Sequence, residues 1–134
     1  MTTIEEVRVA LADACQSIEG WRAQPYIRDQ VSAPEIQVAR GAIVYDIAMG
    51  HDNAGFEFRL TAYVARDNEV AAQKMMQNLC EPAGPGSLKK VLEADETLRQ
   101  LVDIIRVQTA TEDGSVVVGA ISYLFAEFIV DISY

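Results

Sequence analysis

The stretch Phe56-Glu57-Phe58-Arg59-Leu60-Thr61-Ala62-Tyr63-Val64 decides the fold class. Phe56, Phe58, Leu60, Ala62 and Val64 alternate with Glu57, Arg59, Thr61 and Tyr63. Successive strand side chains point to opposite faces, so this spacing predicts a strand with one buried and one wet face. Upstream, Glu35–Val38 reads as a short strand, and Ile43, Tyr45 and Ile47 alternate as a second one after Gly41. Between them and the quoted strand, Gly50-His51-Asp52-Asn53 is a polar loop. Pro25 and Pro34 push their predecessors out of helical angles, which makes 21–34 an extended piece and a loop.

The periodicity changes at both flanks. Ile4, Val7, Leu11, Ala14, Cys15 and Ile18 recur at intervals of three and four, the signature of an N-terminal helix. Thr2 or Thr3 caps it, with Glu5 or Glu6 completing a capping box, and Gly20 is its expected stop. Beyond the quoted strand, Asp67 reads as an N-cap for a helix over 68–79, with Val70, Met75 or Met76, and Leu79 inward and Ala71 and Ala72 close-packed. The break Pro82-Ala83-Gly84-Pro85-Gly86 precedes a Ser87-capped helix to about Ala94, and 97–100 adds a helical turn. Leu101–Ala110 reads as extended, with helix the alternative for its first half. Asp113-Gly114 and Gly119-Ala120 read as turns around a short strand, Val116–Val118. A long strand, Ile121–Ser133, closes the chain; Leu124, Ala126, Phe128, Val130 and Ile132 form an apolar face opposite Tyr123, Phe125, Glu127, Ile129 and Asp131. So much apolar area on both sides marks a central strand or one that meets another subunit. The class is α+β: an antiparallel sheet with an N-terminal helix and two central helices on one face, in a single domain over 1–134.

Composition narrows the functions. At 134 residues, half of them hydrophobic, the chain can bury roughly two-thirds of its unfolded surface and hold one core without staples. Twenty acidic residues against 11 basic ones give a net charge of −9, which argues against gripping nucleic acid by phosphate contacts. Residues 67–134 carry 11 of those acids and only 5 bases. Glu5, Glu6, Asp13 and Glu19 do not fit a signal or transit peptide. The apolar run near Val116–Val130 is interrupted by Gly119, Ser122 and Glu127, so no membrane span is expected. The expectation is a protein made in a reducing cytoplasm.

Candidate chemistry is thin. His51, the single histidine, with Asp46 and Asp52 suggests a proton relay or metal site, but a fourth ligand is missing and a solvated loop explains all three. Cys15 and Cys80 sit on apolar helix faces; neither has a neighbouring cation to activate it, so both read as packing residues. Gly84-Pro85-Gly86-Ser87-Leu88-Lys89-Lys90 has the ingredients of a phosphate loop at the wrong spacing, and Pro85 removes a needed N–H. No catalytic residue, cofactor or metal is expected, and the chain reads as no enzyme. The acids Glu93, Asp95, Glu96, Glu112 and Asp113 match no EF-hand spacing and read as solvated charge.

Order and pattern together carry a resemblance. Phe56–Arg66, the helix with Ala71-Ala72-Gln73-Lys74, Gly84-Pro85-Gly86-Ser87-Leu88-Lys89, Leu92-Glu93-Ala94-Asp95, Thr97-Leu98, Val102-Asp103, Arg106-Val107 and the final strand around Tyr123-Leu124 and Ala126-Glu127-Phe128 resemble the tail terminator proteins of long non-contractile-tailed bacteriophages, especially those of actinobacteria. The resemblance spans nearly the whole chain. It implies a virion structural protein, present in the host cytoplasm during assembly. Such proteins form a homohexameric ring at the neck, cap the tail tube protein and dock to the head–tail connector protein, while DNA passes through the channel without tight binding. On that reading Tyr123, Phe125 and Ile129 belong to a subunit interface or lie under the helices, and Glu93, Asp95, Glu96, Glu112 and Asp113 face the channel. The alternatives are another neck ring protein, such as a connector or completion protein, or a small ligand-binding domain or enzyme built on the 46–52 loop.

Overall fold

The computed structural model describes residues 3–27, 34–45, 54–65, 69–84, 86–118 and 121–133. In chain order these form α1 (Ile4–Gln16), β1 (Arg22–Gln24), β2 (Glu35–Tyr45), β3 (Ala54–Ala65), α2 (Glu69–Cys80), α3 (Leu88–Ala94), α4 (Glu96–Leu101), β4 (Ile104–Val118) and β5 (Ile121–Ser133). The strands make one five-stranded sheet in the order β1-β2-β3-β5-β4. The class is α+β.

The stretch around Phe58 is the hub of that sheet. Pairing sets Val38, Leu60, Phe128 and Ala110 in one row, and Ile36, Ala62 and Ala126 in another. Phe56, Phe58, Leu60, Ala62 and Val64 of β3 and Leu124, Ala126, Phe128, Val130 and Ile132 of β5 are buried on one face. They join Val7, Leu11 and Cys15 of α1, Met76 and Leu79 of α2, Leu88 and Leu92 of α3 and Leu98 of α4 in a single buried cluster. The helices therefore all lie on one side of the sheet; on the face they leave, Glu35, Gln37 and Tyr123 are buried, whereas Tyr63, Phe125 and Ile129 are half-buried.

Local chemistry sets the helix limits. Thr3 caps α1, its hydroxyl accepting from the Glu6 N–H at 3.2 Å. The helix stops at Gln16, earlier than Gly20 suggests, because Ser17 takes the C-cap and returns its N–H to Asp13 and Ala14. Gly20 then turns the chain at φ 87°, a conformation only glycine adopts without cost. Ser87 caps α3 by accepting from the Lys90 N–H at 3.2 Å. Asp95 caps α4 by accepting from the Leu98 N–H at 2.9 Å.

Several expectations need correction. The sheet is mixed, since β1 runs parallel to β2 with Ala23 opposite Ile36. Three helices, not two, occupy the middle of the chain, because Asp95 restarts the helix as α4. The two short strands expected around 35–47 are one strand, β2, whose register shifts between Arg40 and Ile43. Gly41 sits in that irregularity, where a Cβ would come within 2.9 Å of Glu57 Oε1. Asp113-Gly114 is no turn: β4 runs through it, with a register shift between Glu112 and Gly114. Val70 is 64% exposed rather than inward, because it lies across the helix from Ala72, Met76 and Leu79, which are buried. Ala71 is exposed too. Asp67, expected to cap α2, lies outside the described residues.

Candidate functional site

The open face of the sheet is the first place where chemistry could gather. Glu35, Tyr63 and Phe125 lie in one row across β2, β3 and β5. The Tyr63 ring stacks on Phe125 at 6.5 Å between centroids and meets Tyr123 edge-on at 6.2 Å. Such pairs add about 0.5–1.5 kcal/mol each beyond burial. Glu35 is fully buried and accepts from Gln37 Nε2 at 3.2 Å. Burial, and then the negative Glu35, push the Tyr63 hydroxyl above its ordinary pKa. Further along the face, Arg59 pairs with Glu57 at 3.1 Å, and Ile129 lies opposite Arg59.

Tyr123, Phe125 and Ile129 thus share the face that the helices leave open. Phe125 and Ile129 are half-buried, whereas Tyr123 is buried and stands apart from the main core cluster. The other aromatics divide: Trp21 is buried, but Tyr26 and Tyr45 are 47% and 71% exposed rather than packed on the sheet.

Among the described side chains, Glu93, Asp95 and Glu96 have separate surroundings. Glu93 Oε2 accepts from the Val107 N–H at 3.0 Å and pairs with Lys89. Lys89 Nζ in turn donates to the Val107 carbonyl at 3.3 Å. One ion pair on α3 therefore satisfies both outward backbone groups of Val107 on the edge strand β4, as a neighbouring strand would. Burial raises the Glu93 pKa. The hydrogen bonds from Lys89 and Val107, with the charges of Lys89 and Arg106, outweigh it and leave the carboxyl below its ordinary value. Asp95 spends an oxygen on the α4 cap. Glu96 is exposed in the first turn of α4. Glu112 and Asp113 belong to β4 by backbone, and their side chains lie outside the described residues.

The other edge is guarded in the same way. Arg8 of α1 donates through Nη2 to the Val38 carbonyl of β2 at 3.0 Å and through Nε to the Pro25 carbonyl. Its guanidinium stacks over the Tyr26 ring at 4.3 Å from the centroid. Arg8 is not among the residues singled out from sequence, and Glu93 and Lys89 are singled out there for other roles. The one advance sign was the Lys89–Glu93 spacing of four on a helix.

The remaining candidates carry little. His51, Asp46 and Asp52 lie outside the described residues. Cys15 and Cys80 form no disulfide, and burial, reinforced by Asp95, pushes the Cys15 thiol far above its usual pKa, which leaves it inert. The 84–87 turn ends in the Ser87 cap, with the Ser87 hydroxyl donating to the Glu81 carbonyl, and Lys89 points to β4. Among the described residues no group of three or more His, Cys, Asp or Glu could hold a metal. No helix is long and apolar enough to cross a membrane. No family model matches the chain, and no curated protein matches it.

Proposed function

We propose that this chain is a virion structural protein, a tail terminator that closes into a homohexameric ring on the tail tube of a long-tailed phage. It then meets the head–tail connector and lets DNA pass through its centre. The neck, the partners and the ring number come from the resemblance. What supports self-assembly is the pair of unequal sheet edges. Among the described residues, β2 is covered by β1 only at 35–37 and guarded by Arg8 at Val38, which leaves 40–45 as open edge. On the other side, β4 is guarded at Val107 and open from 108 onward. Between them β2, β3, β5 and β4 alternate in direction. A copy shifted sideways therefore presents its β2 antiparallel to the first copy's β4, a head-to-tail contact of the kind that builds rings.

The two open stretches are not level. Arg40 shares a row with Phe58, Val130 and Val107, so 40–45 lies level with 104–107 rather than with 108–118. Joining the open stretches staggers each copy by about 20 Å along the strands over a width of about 19 Å. That stagger tilts the strands by about 45°, the upper end of what closed barrels use. The like charge of chain and DNA favours passage over capture.

Electron microscopy of the purified protein and of virions tests the reading: a six-fold ring at the neck is expected. A phage lacking the gene should make tails of uncontrolled length. Tails of normal length left unjoined to heads would point instead to a head-side connector. A protein that stays monomeric with and without tails removes the ring reading.

A further inference from the structure

The groove between α1 and α4 holds about 590 Å³ and is lined by no residue of the sheet. Its floor is Val9, Ala10 and Leu101, and its rim on α1 is Glu5, Glu6 and Asp13. Val9 is 40% exposed, an apolar side chain open to solvent in this shallow groove. Among the described residues no cation lines the groove. The only base on α1, Arg8, is held by the Pro25 and Val38 carbonyls and the Tyr26 ring, whose hydroxyl donates to Glu5 at 3.5 Å; Glu6 and Asp13 have no such neighbour among the described residues.

Two of the three acids have a structural reason to be there. Glu5 and Glu6 occupy the first turn of α1, where the positive end of the helix dipole favours them. Asp13 has none. It lies in the last turn, where the dipole disfavours an anion, and that turn carries no base. Among the described residues its carboxylate makes no hydrogen bond or ion pair. An acid that costs the free protein stability and completes a one-sign rim around an apolar floor fits a partner better than it fits the fold.

We infer that this groove docks a basic amphipathic helix of another protein. The occupant's apolar residues at intervals of three and four would lie on Val9, Ala10 and Leu101, and its lysines or arginines would meet Glu5, Glu6 and Asp13. From Glu5 to Asp13 the rim runs about 12 Å, a little over two turns of a docked helix. The inference goes beyond the ring reading and does not need it, because the groove belongs to one copy.

The test uses the full chain and a fluorescent leucine–lysine peptide of about 14 residues, with leucines at helical spacing. Three controls accompany it: a scrambled peptide of the same composition, a leucine–glutamate version and a hydrogen-exchange map of the complex. The expected result is binding of the helical cationic peptide alone, with protection confined to 5–13 and 97–101. Glu6→Lys with Asp13→Lys should weaken it about tenfold, and Val9→Ser should weaken it too. Asp13→Asn should lower affinity while leaving the thermal midpoint at or above that of the parent, a combination that a purely structural aspartate cannot give. Equal binding of the scrambled or acidic peptide, protection elsewhere, wild-type affinity in the charge-reversed variant, or no binding at all overturns the inference.

Discussion

Replacing Glu93 with alanine strikes one of the two polar side chains by which α3 holds the β4 edge at Val107. Glu93 Oε2 accepts from the Val107 N–H at 3.0 Å and holds Lys89, which reaches the Val107 carbonyl. A hydrogen bond to a charged group contributes about 1.5–3 kcal/mol when well shielded. The Glu93 side chain is 32% exposed, so solvent screens part of that. The expected loss is about 1–2 kcal/mol. With a urea slope of about 1–3 kcal/mol/M, the midpoint should fall by roughly 0.5–1 M. Glu93→Gln keeps an acceptor for the Val107 N–H and loses only the charge, so it should fall between the two.

The pH dependence gives a second, independent reading of the same contact. The folded pKa of Glu93 is depressed below the ordinary 4.5. Its stabilising contribution is therefore fully present above that value and is lost as pH falls through the folded pKa. The stability gap between the parent and Glu93→Gln should be constant near neutrality and should close below about pH 4.5. A gap that stays constant down to pH 3, or an alanine variant with an unchanged midpoint, would refute the clamp as an energetic feature. Loss of the clamp should also bare the Val107 edge, so concentration-dependent association in light scattering should rise in Glu93→Ala.

Phe125→Asp should fold, since Phe125 is only half-buried on the open face, but its ring assembly should fail, as read by circular dichroism and light scattering. Wild-type assembly of that variant would remove Phe125 from the contact. Ser87→Ala removes the α3 cap and the bond to Glu81, and should cost about 1 kcal/mol in chemical denaturation. Phe58→Ala deletes one of the largest fully buried side chains and should cost about 3–5 kcal/mol, enough to unfold much of the population in a thermal scan. In a thiol titration of the native protein Cys80 should react first, while Cys15, buried and with its pKa raised, should react only on unfolding.

The parts of the fold that were legible are those whose signal is local and repeated. Alternation over Phe56–Val64 gave β3, spacing of three and four gave α1, and the two-sided apolarity of 121–133 gave a strand with the right limits. The errors came where a neighbour overrides a local sign. Asp113-Gly114 has the composition of a hairpin turn, yet β5 pairs on both sides of it and carries β4 straight through with a register shift. Gly41 looked like a strand end because a lone sequence cannot show that Glu57 presses against it. Val70 looked like core because its apolarity hid that Ala72, Met76 and Leu79 already fill the inner face of α2.

The contacts of the candidate acids are illegible in sequence for a related reason: composition counts charges, whereas the fold gives each its partner. Glu93 and Asp95 were grouped with Glu96 by proximity in sequence, but one clamps a strand edge and the next caps a helix. The role of Glu93 depends on Val107, 14 residues away, and no spacing rule reaches that far. This changes what a channel would require. If DNA passes beside this protein, the repulsion that keeps it moving need not come from a ring of those particular carboxylates alone. It can come from the net charge of −9 that each copy brings, a field that survives the loss of any single acid.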